Sequence, residues 1–588
     1  MDTYKAFWLC SLMLAGFAVT ANVLTVGPGP QCDFDTTVGE TLQQAIATGN
    51  TTEVRLIDGY IYSGGLTISQ PIKIIGGYAT CDDAAQNIPN PNSSAKSILS
   101  GQSNDRVIEL LNCTQGTVEL QQVRVIDGNA DSLAVPRGAG INTTNSSCHL
   151  RIEKSEITNN IALVGSGVFF DGLGIGSVFI VDSIFSNNRT SNSGRDAQGG
   201  GLYSFSSVTV VGESGFHHNT SGRGGAIYIR GDRYPGDVSL TIIGGSDPTN
   251  TGFSHNSVTG FLNGSLGGAI YLSDITNAQL TGHRQSINGI TYGDDINPLK
   301  FEQNTANGNG NRGGGIYMTR SSMDISNSLF FANSAGTGGA IAYDSMDPNT
   351  SLNISGRPER CWRDQGCNAF IENVASGGGA IWGINQARGY VQNSYFTGNT
   401  ANTGTSFAIA SNAVFVLENS VIYQDTQNAT LNQDRNIIHT SGAAFTTMYS
   451  TLVENNAVES VFNAVNGNSG HTVLNSIVYN DAVIAIADGN VSSQFSCVLT
   501  DRPGNQMIDI TPTEYNALFV GVNNQNFRLL PSAVAIDSCE DVSVSNSGYD
   551  IQAIPRGYDF PGVNNSSGSF DAGANEFDDD LIFIFGFE

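Results

Sequence analysis

Two short motifs alternate through the middle of this chain, and no other feature constrains its fold as tightly. The first is Phe-x-x-Asn, at Phe185–Asn188, Phe216–Asn219, Phe253–Asn256, Phe301–Asn304, Phe330–Asn333, Phe370–Asn373 and Phe396–Asn399. The second is Gly-Gly-small-aliphatic. It occurs at Gly199-Gly200-Gly201-Leu202, Gly224-Gly225-Ala226-Ile227, Gly267-Gly268-Ala269-Ile270, Gly313-Gly314-Gly315-Ile316, Gly338-Gly339-Ala340-Ile341 and Gly378-Gly379-Ala380-Ile381. An aromatic often follows: Tyr203, Tyr228, Tyr271, Tyr317 and Trp382. Ile157-Thr158-Asn159-Asn160 before Gly165-Ser166-Gly167-Val168 is a degenerate copy. Alternation of this kind marks one structural unit stacked on itself.

The motifs suit a coil of short strands, each pairing in parallel with the coils above and below. Phe and the aliphatic residue point inward onto their counterparts, as a period of two permits. Asn188, Asn219, Asn256, Asn304, Asn333, Asn373 and Asn399 are expected at a corner. There Asn tolerates a left-handed backbone, and its amide bonds along a ladder of like residues. The glycines permit a sharp bend and close approach of the adjacent coil. The expected fold is therefore all-β: a single right-handed parallel β-helix of ~18–22 coils. Successive motif Asn residues lie 26 to 48 positions apart, so loops of variable length should project from the coils and carry function.

The chain has 588 residues, which would ordinarily suggest several domains. An array avoids that, because stacking adds length without thickening the core. Composition agrees: 70 glycines and only 13% charged residues suit strands and tight turns better than helices. The 26 basic residues face 53 acidic ones, a net charge of −27, and no basic cluster is dense enough for nucleic acid. Acidic turns leave calcium as the one cofactor to be considered.

The N-terminus reads as a signal peptide over residues 1–21. Lys5 precedes the apolar run Ala6–Val19, and Val19-Thr20-Ala21 is a small-residue cleavage site. No later segment is long and apolar enough for a membrane span in the mature chain. Removing Cys10 leaves eight of nine cysteines, and an exported chain meets oxidising conditions. Coil neighbours in sequence are neighbours in space, so the expected pairs are Cys32–Cys81, Cys113–Cys148, Cys361–Cys367 and Cys497–Cys539. No CxxC spacing supports a zinc site instead.

The paired motifs over about residues 155–410 resemble those of chlamydial polymorphic outer membrane proteins and of secreted bacterial proteins of the pectin-lyase-like superfamily. That resemblance implies a right-handed β-helix, exported and often adhesive. The chain departs from the first group after Cys539, where nothing is long enough for a membrane barrel. Residues 22–80 read as an N-terminal cap and first coils, with an amphipathic cap at Thr41–Ala47 and strands at Glu53–Ile57, Leu66–Ile68 and Ile72–Ile75. Residues 81–540 form the β-helix and 541–577 the closing segment, where Pro555-Arg556-Gly557 and Asp571–Glu576 resemble the usual ending of such folds. Residues 578–588 are a sorting tag or a strand completing the last coil.

This fold hosts both enzymes and binding proteins, so function must come from a site. The signatures of polygalacturonase-like hydrolases are absent. Asp82-Asp83 and Asp294-Asp295 are carboxylate pairs in turn-like contexts, better read as solvated. A lyase needs a base beside a cation site. The one region with the basic groups for it holds Arg189, Arg195, His217, His218, Arg223, Arg230 and Arg233. The first five are the catalytic candidates, against the simpler reading that they decorate loops. His255 and His283 are scattered. The expectation is a secreted or cell-surface monomer acting as an adhesin-like scaffold that contacts polysaccharide or another cell-surface ligand. The alternatives are a polysaccharide lyase or glycoside hydrolase, and a structural envelope protein.

Overall fold

The computed structural model describes residues 22–577 apart from 91–93, 193–195, 248–250, 261–263, 288, 293–296, 307–309, 357–366, 424–425, 428–435, 455–459, 468, 481–484, 490–492, 503, 505, 541–547 and 558–567. The chain winds as a parallel β-helix with three long ladders. A first ladder runs through His149–Glu153, Val178–Val181, Val208–Val211 and Ser239–Ile243. A second runs through Ile184–Ser186, Gly215–His217 and Gly252–Ser254. The third has 14 strands, from Leu66–Ile68 to Ala485–Gly489. A short ladder of two-residue strands, such as Arg189–Thr190 and Thr220–Ser221, bridges the second ladder to the third.

At ~4.8 Å per strand the third ladder extends about 60 Å, fewer coils than the mean repeat suggested. Long loops lengthen the coils: Asn256 and Asn304 occupy adjacent coils yet lie 48 residues apart. The parallel stack ends at Met507–Asp509, short of the boundary expected near 540. Beyond it the helix Pro512–Asn516 and an antiparallel pair, Phe519–Gly521 with Asn526–Leu529, begin a segment that folds back along the side of the stack.

Both motifs perform the packing expected of them. The seven motif Phe rings form one inward stack from Phe185 to Phe396, with centroids 4.6 to 5.2 Å apart. All are buried, and each contributes roughly 1.5–3 kcal/mol of burial. The Asn side chains form a continuous buried ladder. Asn219 Nδ2 donates to Asn256 Oδ1 (3.0 Å) and to the Phe185 carbonyl (2.9 Å), and its backbone N–H donates to the same Asn256 oxygen (3.0 Å). One detail differs from the sequence reading. The left-handed residue is not Asn but the one before it: Asn187, His218, His255, Gln303, Ala332 and Glu372 all have φ near +50°. The corner there aims the following Asn inward, so its value lies in four-way hydrogen bonding rather than in backbone tolerance.

The double glycine has two separate causes. Gly224 sits at φ +59°, and a Cβ on Gly225 would collide with the Gly268 carbonyl oxygen of the next coil. After residue 410 this motif is gone, yet the stack persists on a different corner. That corner, a serine ladder, is already built upstream, where the backbone N–H groups of Ser155 and Ser183 donate to the hydroxyls of Ser183 and Ser214 (3.0 and 3.2 Å). It continues past 410 with those of Ser394, Ser420 and Ser450 donating to Ser420, Ser450 and Ser476 (3.2 to 3.3 Å).

The first coil is covered by helix Leu42–Ala47, whose Thr41–Gln44 capping box fixes its start and whose Leu42, Ala45 and Ile46 face the core. Disulfides Cys32–Cys81, Cys113–Cys148 and Cys497–Cys539 are formed as expected, with Cα separations of 5.0, 5.6 and 5.7 Å. Cys367 is disulfide-bonded, while Cys361 lies outside the described residues. These bonds belong to an oxidising environment. Among the described residues no helix is long and apolar enough to cross a membrane.

Candidate functional site

The outer surface of the third ladder carries the densest set of organised polar and aromatic groups. Strand alternation sends Ile227 and Ile229 inward and Tyr228 and Arg230 outward. In register, Phe169, Tyr203, Tyr228, Tyr271, Tyr317, Ala342 and Trp382 form one outward column. Its first five rings stack face to face at 4.4 to 5.3 Å. Each ring thus consumes its neighbours' faces, and the tyrosines are only 2 to 7% exposed. Burial holds the phenols of Tyr203, Tyr228 and Tyr317 well above their ordinary pKa.

A second column runs beside the first, formed by the residue preceding each glycine motif: Arg137, Val164, Gln198, Arg223, Leu266 and Arg312, then Thr337 and Gly377. Its arginines lie over the rings. The guanidinium of Arg137 is 5.0 Å from the Phe169 centroid, that of Arg223 is 6.0 Å from Tyr271, and that of Arg312 is 4.7 Å from Trp382. Arg312 reaches Trp382 where the column has only Ala342. There it pairs with Asp344 (2.7 Å), which also accepts from the Tyr317 hydroxyl (3.3 Å).

Further ion pairs line the same face. Arg230 donates to Asp232 (2.7 Å) and Arg320 to Asp274 (2.6 Å). Burial opposes ionisation of Asp274, but Arg320 and the Ser273 hydroxyl outweigh it and hold the carboxyl below its ordinary value. Arg233 pairs with Asp171 (3.0 Å) and lies 4.3 Å over Phe205, while the Tyr234 hydroxyl donates to the same Asp171 (2.6 Å).

The catalytic candidates occupy separate neighbourhoods. Arg189 is exposed on the short ladder. His217 and His218 sit at the Asn corner, where His217 Nδ1 bonds the Ser254 hydroxyl (2.8 Å) and His218 stacks on His255 at 4.8 Å. Burial, then the neighbouring His255, lowers the pKa of His218. Arg223, Arg230 and Arg233 belong to the third-ladder face. Among the described residues, no hydrogen bond or ion pair joins either histidine to these arginines. Arg195 and Asp294-Asp295 lie outside the described residues. Asp82 and Asp83 fall not in a loop but in the first turn of helix Cys81–Gln86, with the Asp83 N–H capped by Thr80. Among the described residues no group of three or more His, Cys, Asp or Glu is placed to hold a metal ion.

A second charged cluster is buried in the closing segment. Arg556 and Glu576 pair at 3.1 Å with side chains 2% and 0% exposed. The same guanidinium lies 4.1 Å over Tyr449 and donates through Nε to Asn419 (3.1 Å). Asp550 accepts from the N–H groups of Gln552, Ile554 and Glu576, each at 2.8 Å. Burial nonetheless lifts its pKa to about 6, and raises those of Asp571 and Glu576. Every contact here is internal, so the cluster is a clasp holding the closing segment to the stack.

No family model matches this sequence, and no curated protein matches it.

Proposed function

We propose that this protein is an exported, surface-acting β-helix of the pectin-lyase-like kind, which serves as an adhesin-like binding scaffold for carbohydrate. The observation supporting this reading is the third-ladder face, where rings repeat at the spacing of the coils and arginines lie over them two or three coils apart. Such a face contacts an extended ligand at many points without deforming. The disulfides fit an extracellular setting. The arginines are also held as binding groups rather than as a proton acceptor, since a guanidinium does not lose its proton.

The aromatic column has a different role from an exposed sugar platform. Its ring faces are already stacked and its tyrosines are buried, so a sugar meets the arginines that lie over them instead. The test exposes purified mature protein to a panel of neutral and charged polysaccharides, with and without calcium, and follows both retention and release of reducing or unsaturated ends. Retention without product is expected. Product release would replace the scaffold reading with a lyase or hydrolase, and absence of retention on every glycan would remove the carbohydrate reading.

A further inference from the structure

We propose that the strip of Arg137, Val164, Gln198, Arg223, Leu266 and Arg312 binds a linear polyanionic polysaccharide, bearing carboxylate or sulfate groups, laid along the helix axis. The inference rests on the binding reading above and names the ligand class and the residues that select it.

Charge is the first argument. The protein as a whole is strongly acidic, yet six arginines converge here: Arg137, Arg223, Arg230, Arg233, Arg312 and Arg320. Four of them are matched by Asp171, Asp232, Asp274 and Asp344. Arg137 and Arg223 have no carboxylate partner among the described residues. In physiological salt charges are screened beyond ~8 Å, and the four aspartates of this face are each neutralised by their own arginine, so the net charge a ligand on this strip meets is that of Arg137 and Arg223.

Preorganisation is the second argument. A guanidinium lying on a ring is held in one orientation, and its planar N–H fork matches carboxylate and sulfate geometry in parallel hydrogen bonds. Arg223 is further held by its Nε bond to the Gly264 carbonyl (3.4 Å). The rings are themselves stacked on one another and buried. Holding the fork in place lowers the side-chain entropy lost on binding. The aromatic column is thus a support for cations.

Spacing is the third. Arg137 and Arg223 are three coil steps apart in one register column, and Arg223 and Arg312 two steps. At ~4.8 Å per step these are separations of about 14 and 10 Å along the axis. Val164 and Leu266 lie between them and offer apolar contact to sugar rings. A ligand with repeated negative groups along an extended backbone bridges Arg137 and Arg223 and continues past the Asp344-paired Arg312, whereas a single small anion meets one arginine.

The experiment uses the full mature chain and four immobilised probes: heparin, hyaluronan, neutral dextran and polyglutamate. Affinities are measured at low and high sodium chloride for wild type, for Arg137→Gln/Arg223→Gln, and for Arg388→Gln, which removes an exposed arginine from the first ladder. Thermal melts establish that each variant is folded. The inference expects tight, salt-sensitive binding to heparin, little to dextran or polyglutamate, and a loss of roughly tenfold per strip arginine with Arg388→Gln unchanged. Binding of hyaluronan as well would assign carboxylate as sufficient, and binding of heparin alone would assign sulfate. Undiminished binding by the double variant, or equal binding of polyglutamate, overturns the proposal. Retention of dextran with no preference for either charged glycan also overturns it, while leaving the carbohydrate reading intact.

Discussion

Removing one rung of the asparagine ladder should have a cost that can be worked out from its bonds. In Asn256→Ala four hydrogen bonds go. Asn219 loses the acceptor of its backbone N–H and of one amide N–H (both 3.0 Å), the Phe216 carbonyl loses a donor (2.8 Å), and Asn304 Oδ1 loses another (3.0 Å). Asn219 Nδ2 keeps its bond to Phe185, and Asn304 Oδ1 keeps the Asn256 N–H. Two groups are therefore left needy in a buried site, the Asn219 N–H and the Phe216 carbonyl. At ~1–3 kcal/mol each the loss is about 2–6 kcal/mol. A long coil array does not unfold as one unit, so the proper assay is hydrogen exchange of the Asn219 amide, which should accelerate at least ~30-fold. Exchange within about threefold of wild type would refute the claim that the ladder is a stability element. Asn256→Asp adds a sign test. Its carboxyl would face the Phe216 and Asn304 oxygens in a buried site, so its pKa would be raised above the unfolded value. Stability should then be greatest at low pH and be lost as pH rises through that raised value.

Three further outcomes are expected. Gly225→Ala should cost roughly 3 kcal/mol, because its Cβ meets the Gly268 carbonyl, whereas Gly467→Ala, with open space around it, should leave the melting temperature unchanged. Replacing Cys113 and Cys148 by serine opens a link across 35 residues and should cost about 3–4 kcal/mol locally, seen as earlier proteolysis of the adjoining coils. The clasp around Arg556 should loosen with rising pH. Burial raises the pKa of Asp550 to about 6 against the pull of Arg556, and those of Asp571 and Glu576 are raised as well. Such groups stabilise the fold below their unfolded pKa and lose that contribution as pH climbs through the folded value. Protection of the Gly573 and Ala574 amides, which donate to Asn475 and Thr451, should be greater at pH 5 than at pH 8; equal protection would count against it.

The stack was legible because its motifs bury the same atoms in every coil: Phe216 must sit on Phe253, and Asn219 must bond Asn256. The arginine column was not, because the position before each glycine motif reads Arg, Val, Gln, Arg, Leu, Arg, Thr, Gly. Only the register shows that Arg137 and Arg312 share a line, and only the Ala342 gap explains why Arg312 passes one coil to reach Trp382. His255 looks scattered in the sequence, though it and His218 both occupy the left-handed position before a motif Asn. The serine ladder carries no consensus in sequence because one small hydroxyl per coil suffices. The Arg556 clasp joins residues as far apart as Asn419, 137 positions away, since the chain doubles back, which coil periodicity cannot foretell.

The asparagine ladder also has a direction. From Asn160 to Asn399 each amide nitrogen gives its proton to the oxygen of the next coil toward the C-terminus. Flipping one amide would set oxygen against oxygen on one side and N–H against N–H on the other, so no member can turn alone. The column is a single polar filament with its oxygen end at Asn160 and its N–H end at Asn399. The column starts and stops inside the stack, where Asn160 Oδ1 accepts the Gly128 N–H of the preceding coil (2.9 Å), so the polarity is imposed on every coil between and a coil packed in the opposite sense would meet mismatched neighbours on both sides.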